Sequence, residues 1–179
     1  MLIAALAFNV SFGQPMMKEK TVEVGGAAMF PSKNIVENAV NSKDHTTLVA
    51  AVKAAGLVET LMSAGPFTVF APTNAAFGML PAGTVETLVK PENKAKLTGI
   101  LTYHVVSGKL DADALKAKIK EGKGTAELTT VAGGKLWVMK KDGKLWLKDE
   151  NGGMAEITIK DVYQSNGVIH VIDHVVLPK

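Results

Sequence analysis

Residues 165–179 read SNGVIHVIDHVVLPK, and the fold turns on how that stretch is read. His170 and His174 stand four apart, with Asp173 between them. On a helix, that spacing brings two imidazoles to one face and makes a metal site. On a strand, His170, Ile172 and His174 share a face, Asp173 points away, and the two histidines lie about 13–14 Å apart. Val168, Ile169, Val171, Ile172, Val175 and Val176 are all β-branched, which selects strand. A strand over Gly167–Val175 excludes a shared metal ion and leaves His170 to be explained as a residue of a sheet.

Moving towards the N-terminus, the β character persists through AEITIKDVY to KLWVMKKDGKLWLKD, residues 135–149. Two alternating runs flank Asp142-Gly143, the pair favoured in a tight type I′ hairpin turn. Trp137 and Trp146 lie on these runs; they pack on one sheet face or, if solvent-facing, stack on sugar rings. Before this third of the chain the period is helical. Ile35, Val36, Ala39 and Val40 form one stripe. Leu48, Val49, Val52 and Ala55 form another, with Asp44 as N-cap and Gly56 as the stop. FTVFA (Phe67–Ala71) interrupts as a strand, and Thr73 caps a short helix over Asn74–Leu80. A strand is expected near His104–Val106. Asp111 then caps a surface helix that turns Leu115 and Ile119 inward and ends at Gly122. The fold class is α+β: helices first, then a mainly antiparallel sheet system.

The totals narrow the function. A chain of 179 residues with 47% apolar and 21% charged residues suits one domain with a real core. There is no cysteine, which excludes disulfides, thiolate catalysis and zinc–cysteine sites. The 20 basic residues are all lysine. Without the arginine fork that reads guanine edges and grips phosphates, a nucleic-acid partner is not expected. Residues 1–13, with an apolar run Leu2–Val10 and small residues Ser11 and Gly13, have the form of a signal peptide. The positive n-region is missing, which fits a start placed a few residues late. Residues 14–33 read as a mixed leader and 34–179 as the single domain. No run reaches the roughly 20 apolar residues needed to span a bilayer, so the expectation is a secreted or periplasmic protein without a transmembrane segment.

GPFTVFAPTNAAF (Gly65–Phe77), ILTYHVVSGKL (Ile100–Leu110) and NGVIHVIDHVVLP (Asn166–Pro178) resemble, in order and spacing, the signature segments of the fasciclin domain family. The closest likeness is to its single-domain secreted bacterial members. The resemblance implies a β-sandwich-like wedge with a layer of helices, and a non-catalytic adhesion or interaction role outside the cell. It also implies candidate binding positions. The Asp-Ile pair linked to integrin binding in animal members maps to Asp161-Val162, and the Tyr-His segment to Tyr103-His104. Integrin itself is not carried over.

The residues themselves give catalysis little to work with. No serine sits in a Gly-x-Ser-x-Gly elbow, and no glycine-rich phosphate loop is present. No catalytic residue, metal site or cofactor is expected. His104 and His170 are expected buried and neutral, His45 exposed near a helix start. Between Lys109 and Lys148, ten lysines face five acids, an excess of +5. Either this is a solvated face, or Lys116, Lys118, Lys140 and Lys144 form a weak, salt-sensitive surface for polyanions. The partner expected is an extracellular or envelope protein or polysaccharide, with self-association left open. The alternatives are a carrier of a small apolar ligand and, behind it, a hydrolase.

Overall fold

The computed structural model describes residues 19–179, so the expected export signal lies outside the described residues. Local chemistry builds the helical half. Asn34 caps α1 (Ile35–Ala39) in a reciprocal box with Glu37. Helix α2 (Thr46–Ala55) buries Leu48, Ala51, Val52 and Ala55 and stops at Gly56, whose φ of 73° is the left-handed cap. Asp44 is not its N-cap. It lies in a 3-10 turn, Lys43–His45, and the helix start is satisfied from another segment, by Asn74 Oδ1 accepting from the Thr47 N–H at 3.0 Å. Short helices α3 (Val58–Met62), α4 (Asn74–Gly78) and α5 (Thr84–Leu88) follow; α4 stops two residues before the expected Leu80. Helix α6 is Lys94–Tyr103, and α7 (Ala112–Glu121) is capped by Asp111 with Leu115 and Ile119 buried.

The strands are β1 (Val22–Val24), β2 (Ala27–Met29), β3 (Phe67–Pro72), β4 (Val105–Ser107), β5 (Thr125–Thr129), β6 (Lys135–Lys141), β7 (Lys144–Lys148), β8 (Met154–Gln164) and β9 (Gly167–Ile172). Strands β1 and β2 pair as a hairpin inside the expected leader, residues 14–33, and its Val24 and Met29 are buried in the core. The packed body therefore includes residues ahead of Asn34. The other strands form one sheet in the order β4-β3-β9-β8-β7-β6-β5. It is antiparallel except for β3 and β9, which run parallel with Phe67 opposite Gly167 and Pro72 opposite Ile172. Residues 73–166 lie between those two strands, so no hairpin fixes their direction, and both are mostly apolar runs of the kind parallel pairing buries.

Strand β8 joins the two halves of the sheet. Its first residues pair with β7, and after register shifts around Ile159 its last residues pair with β9. A bridge between Val106 and Thr130 brings β4 beside the end of β5, so the sheet curls into a wedge. Alternate residues of the central strands feed two cores. Val69, Ala71, Ile169 and Val171 pack with the helices α1–α3 and α6. Phe70 and Ile172 pack with α7 and the inner face of β5–β7. This is the α+β wedge with a helical layer.

Candidate functional site

Two histidines of the signature segments, His104 and His170, are consumed by the fold. His170 is fully buried, its ring stacked on Phe70 at a centroid distance of 5.8 Å. Its Nε2–H donates to the Leu110 carbonyl at 2.7 Å, and its Nδ1 accepts from the Asp161 N–H at 3.3 Å. His104 is bonded the other way round. Nδ1–H donates to the Ile100 carbonyl at 2.8 Å, and Nε2 accepts from the Val176 N–H at 3.3 Å. His45 departs from expectation: it is buried, because Ser42 Oγ (2.9 Å) and the Ala71 carbonyl (3.4 Å) satisfy both its nitrogens under β3. Each ring carries one proton in a tautomer set by its partners. Burial lowers all three pKa values from the ordinary range, that of His104 to about 4. His174 lies past the end of β9, exposed, with Nδ1 2.7 Å from Asp173 Oδ1. The strand ends at Ile172 rather than Val175 because Asp173 turns to pair with Glu156, its Oδ1 accepting from the Glu156 N–H at 2.8 Å.

The positions implied by the resemblance serve the interior in the same way. Tyr103 is fully buried; its hydroxyl donates to the Lys135 carbonyl at 2.5 Å and accepts from the Glu150 N–H at 3.2 Å. Burial pushes its pKa up to about 12. Val162 is core. Asp161 sits on the bulged stretch of β8 at φ 58°, and its Oδ1 accepts from the Ala112 N–H at 2.6 Å, the first turn of α7. Asp161, His170 and Leu110 thus form one tether between β8, β9 and α7.

The four lysines expected to act together are not gathered on one face. Lys116 and Lys118 lie on α7, and Lys116 pairs with Asp113 at 2.9 Å. Lys140 shares its side of β6 with Leu136 and Val138, facing the helix. Lys144 is opposite Lys141 on the other side and pairs with Glu156 at 2.7 Å.

That other side is the outer face of β5–β8, and it is where side chains remain available. The strand register sets Thr125, Met139, Trp146 and Glu156 in one row, and Glu127, Trp137, Lys148 and Met154 in the next. Trp137 and Trp146 therefore share a face, as expected, and both are half-exposed. Trp146 Nε1 is covered and has no partner among the described residues, and the Lys141 ammonium stands 5.8 Å from its ring. Beside Trp137 the turn Asp149–Gly152 rises as the wall of a groove of about 440 Å³. Asp149 pins that turn, accepting from the N–H groups of Asn151, Gly153 and Leu177. Glu150 accepts from those of Lys135 and Lys179, which hold its carboxyl below the usual range. Sequence reading missed this wall: DENGG announces a turn, but not that the turn folds back beside a tryptophan one strand away. Between the helices and the sheet lies a second space, an apolar cavity of about 70 Å³ bounded by Leu48, Leu61, Val69 and Ile169.

Comparison with known proteins agrees with the motifs. The family model for the fasciclin domain matches residues 43–178. The chain is 50% identical over 170 residues to protein sll1483 of Synechocystis, covering 95% of this chain and 87% of the relative. It is 36% identical to the immunogenic protein MPT70 of Mycobacterium tuberculosis, over 78% of this chain and 66% of that protein. It is 37% identical to the transforming growth factor-beta-induced protein ig-h3 of Sus scrofa, over 73% of this chain but only 17% of that larger protein. In three dimensions it resembles a FAS1 domain pair from the insect cell adhesion molecule Fasciclin I, with a TM-score of 0.72 at 17% identity, over 89% of this chain and 58% of the other.

Proposed function

The chain belongs to the fasciclin domain family, and from that premise we propose that it is a secreted, non-catalytic interaction module that attaches to a protein or polysaccharide of the cell envelope or matrix. The observation that carries this reading is the family match over residues 43–178, among relatives that include an immunogenic protein and ig-h3. The chemistry of these residues supports it. The buried histidines and Tyr103 have their polar atoms engaged within the fold, and Asp161 spends Oδ1 on the Ala112 N–H, so none is poised to attack a substrate. Among the described residues no helix is long and apolar enough to cross a membrane. The Asp161-Val162 position acts in this protein as support for the surface rather than as the contact itself. The lysines between 109 and 148 add a weak attraction for acidic partners that salt screens.

The carrier alternative draws on the apolar cavity between helices and sheet. At about 70 Å³ it falls well short of the roughly 300 Å³ at which ligand pockets begin, so the helices would have to part to admit a ligand. Immobilised protein incubated with solubilised envelope and matrix of the producing cell tests the main reading. Retention of a defined surface component is the expected result, and native mass spectrometry showing a co-purified small molecule with no surface component retained would replace it with the carrier.

A further inference from the structure

The groove on the outer face joins features that polyanion binding does not explain. Its floor includes the indole of Trp137 beside Met139, and its wall is a turn held from both sides by backbone donors. Its charge does not favour an anion, since Asp149 and Glu150 stand against Lys148. Around the indole are groups that suit hydroxyls: Thr125, the Lys148 ammonium, and Asn151, whose amide nitrogen is spent on the Leu177 and Pro178 carbonyls while its oxygen is not. Each Glu150 oxygen accepts one backbone bond and keeps a lone pair for another donor. A flat apolar surface edged by donors and acceptors is the complement of a pyranose ring, which has C–H groups on its face and hydroxyls at its rim. The volume, about 440 Å³, lies in the range of preformed ligand sites.

We propose that this groove binds a neutral hexopyranose chain, with one sugar ring stacked on Trp137 and its hydroxyls bonded to Thr125, Lys148, Glu150 and Asn151. The inference rests on the reading of the chain as an interaction module and names its ligand class. Binding occurs without cleavage, because both carboxylates are fixed as acceptors of backbone N–H bonds and neither is held as a general acid. The preorganised wall limits the ordering cost that would otherwise weaken a small contact.

Titration of the full chain with cellohexaose, maltohexaose and mannohexaose, followed by tryptophan fluorescence and calorimetry, tests the proposal, with polygalacturonate as the charged control. At least one neutral hexaose should bind, with affinity unchanged between about 20 and 300 mM salt. Trp137→Leu, which keeps apolar bulk on the sheet, should weaken it about tenfold. Trp137→Phe, which keeps a flat ring, should fall between, and Thr125→Val should cost about threefold. Failure of all three hexaoses to bind overturns the proposal. So does tight, salt-sensitive binding of polygalacturonate in place of the neutral chains, which would assign the surface to its lysines. Envelope material retained equally by wild type and Trp137→Leu overturns the groove while leaving the module reading standing.

Discussion

Strand β9 and the β6–β7 hairpin are both rich in apolar residues, yet they meet solvent in opposite ways. All six residues of β9 are buried, between two cores, and even its histidine is a hydrogen-bonded piece of the interior. The hairpin buries alternate residues only, leaving Trp137, Met139 and Trp146 half-exposed on an open sheet face. The contrast teaches that a strand buried on both faces has no surface to offer, whereas an alternating hairpin keeps one face open. Strands of the first kind build the wedge, and the proposed contact lies on the second kind.

The largest expected effects belong to the buried side. Phe70→Ala removes a fully buried ring that stacks on His170, and should cost about 3–5 kcal/mol in denaturant unfolding. A cost below about 1 kcal/mol would break the distinction between the two regions.

Acid should act on the same side. The folded pKa values of His45, His104 and His170 lie below the unfolded value of about 6.5, so the unfolded chain binds more protons. Stability is therefore full above about pH 6.5 and falls as pH drops, for His104 down to its folded pKa of about 4. Each histidine contributes up to about 1.4 kcal/mol per pH unit. Urea unfolding between pH 6.5 and 5 reads this before carboxylate protonation adds to it. The double variant His104→Gln, His170→Gln should keep only the His45 part of the slope. A flat wild-type profile would contradict burial in neutral form.

The smallest effects belong to the open side. Gly143, at φ 79° beside Asp142 at φ 51°, forms the type I′ turn of the hairpin. Gly143→Ala should cost about 1 kcal/mol by equilibrium unfolding and leave the helical circular dichroism signal unchanged. A loss as large as that of Phe70→Ala would mean that the hairpin nucleates the wedge rather than decorating it.

Much of this was legible in the sequence for reasons that are local. The Asp142-Gly143 turn, the Asp111 and Thr73 caps and the Gly56 stop each follow from side-chain chemistry within a few residues. The β-branched run placed His170 on a strand. What sequence could not give was long-range. Nothing near His45 announces that the Ala71 carbonyl will bury it, and nothing near Asp44 announces that Asn74 will satisfy the start of α2. The site suffered most. A count of lysines between 109 and 148 suggested one surface, but helix and strand periodicity divide Lys116, Lys118, Lys140 and Lys144 between faces. The groove is assembled by a turn folding over a neighbouring strand, a contact without any local pattern.

The central claim, that the binding positions implied by the resemblance hold the fold while the outer face makes the contact, is tested most directly by one paired comparison. Asp161→Ala and Trp137→Leu are each measured for melting temperature and for retention of captured envelope material. Asp161→Ala loses the bond to the Ala112 N–H and strains a φ of 58°, a cost of about 2 kcal/mol. Its melting temperature should fall by about 4–8 °C, with retention unchanged below the transition. Trp137→Leu should melt within about 2 °C of wild type and lose retention. The reverse pattern, with Asp161→Ala stable but unable to bind and Trp137→Leu binding normally, would contradict the account and return the contact to the Asp161-Val162 position.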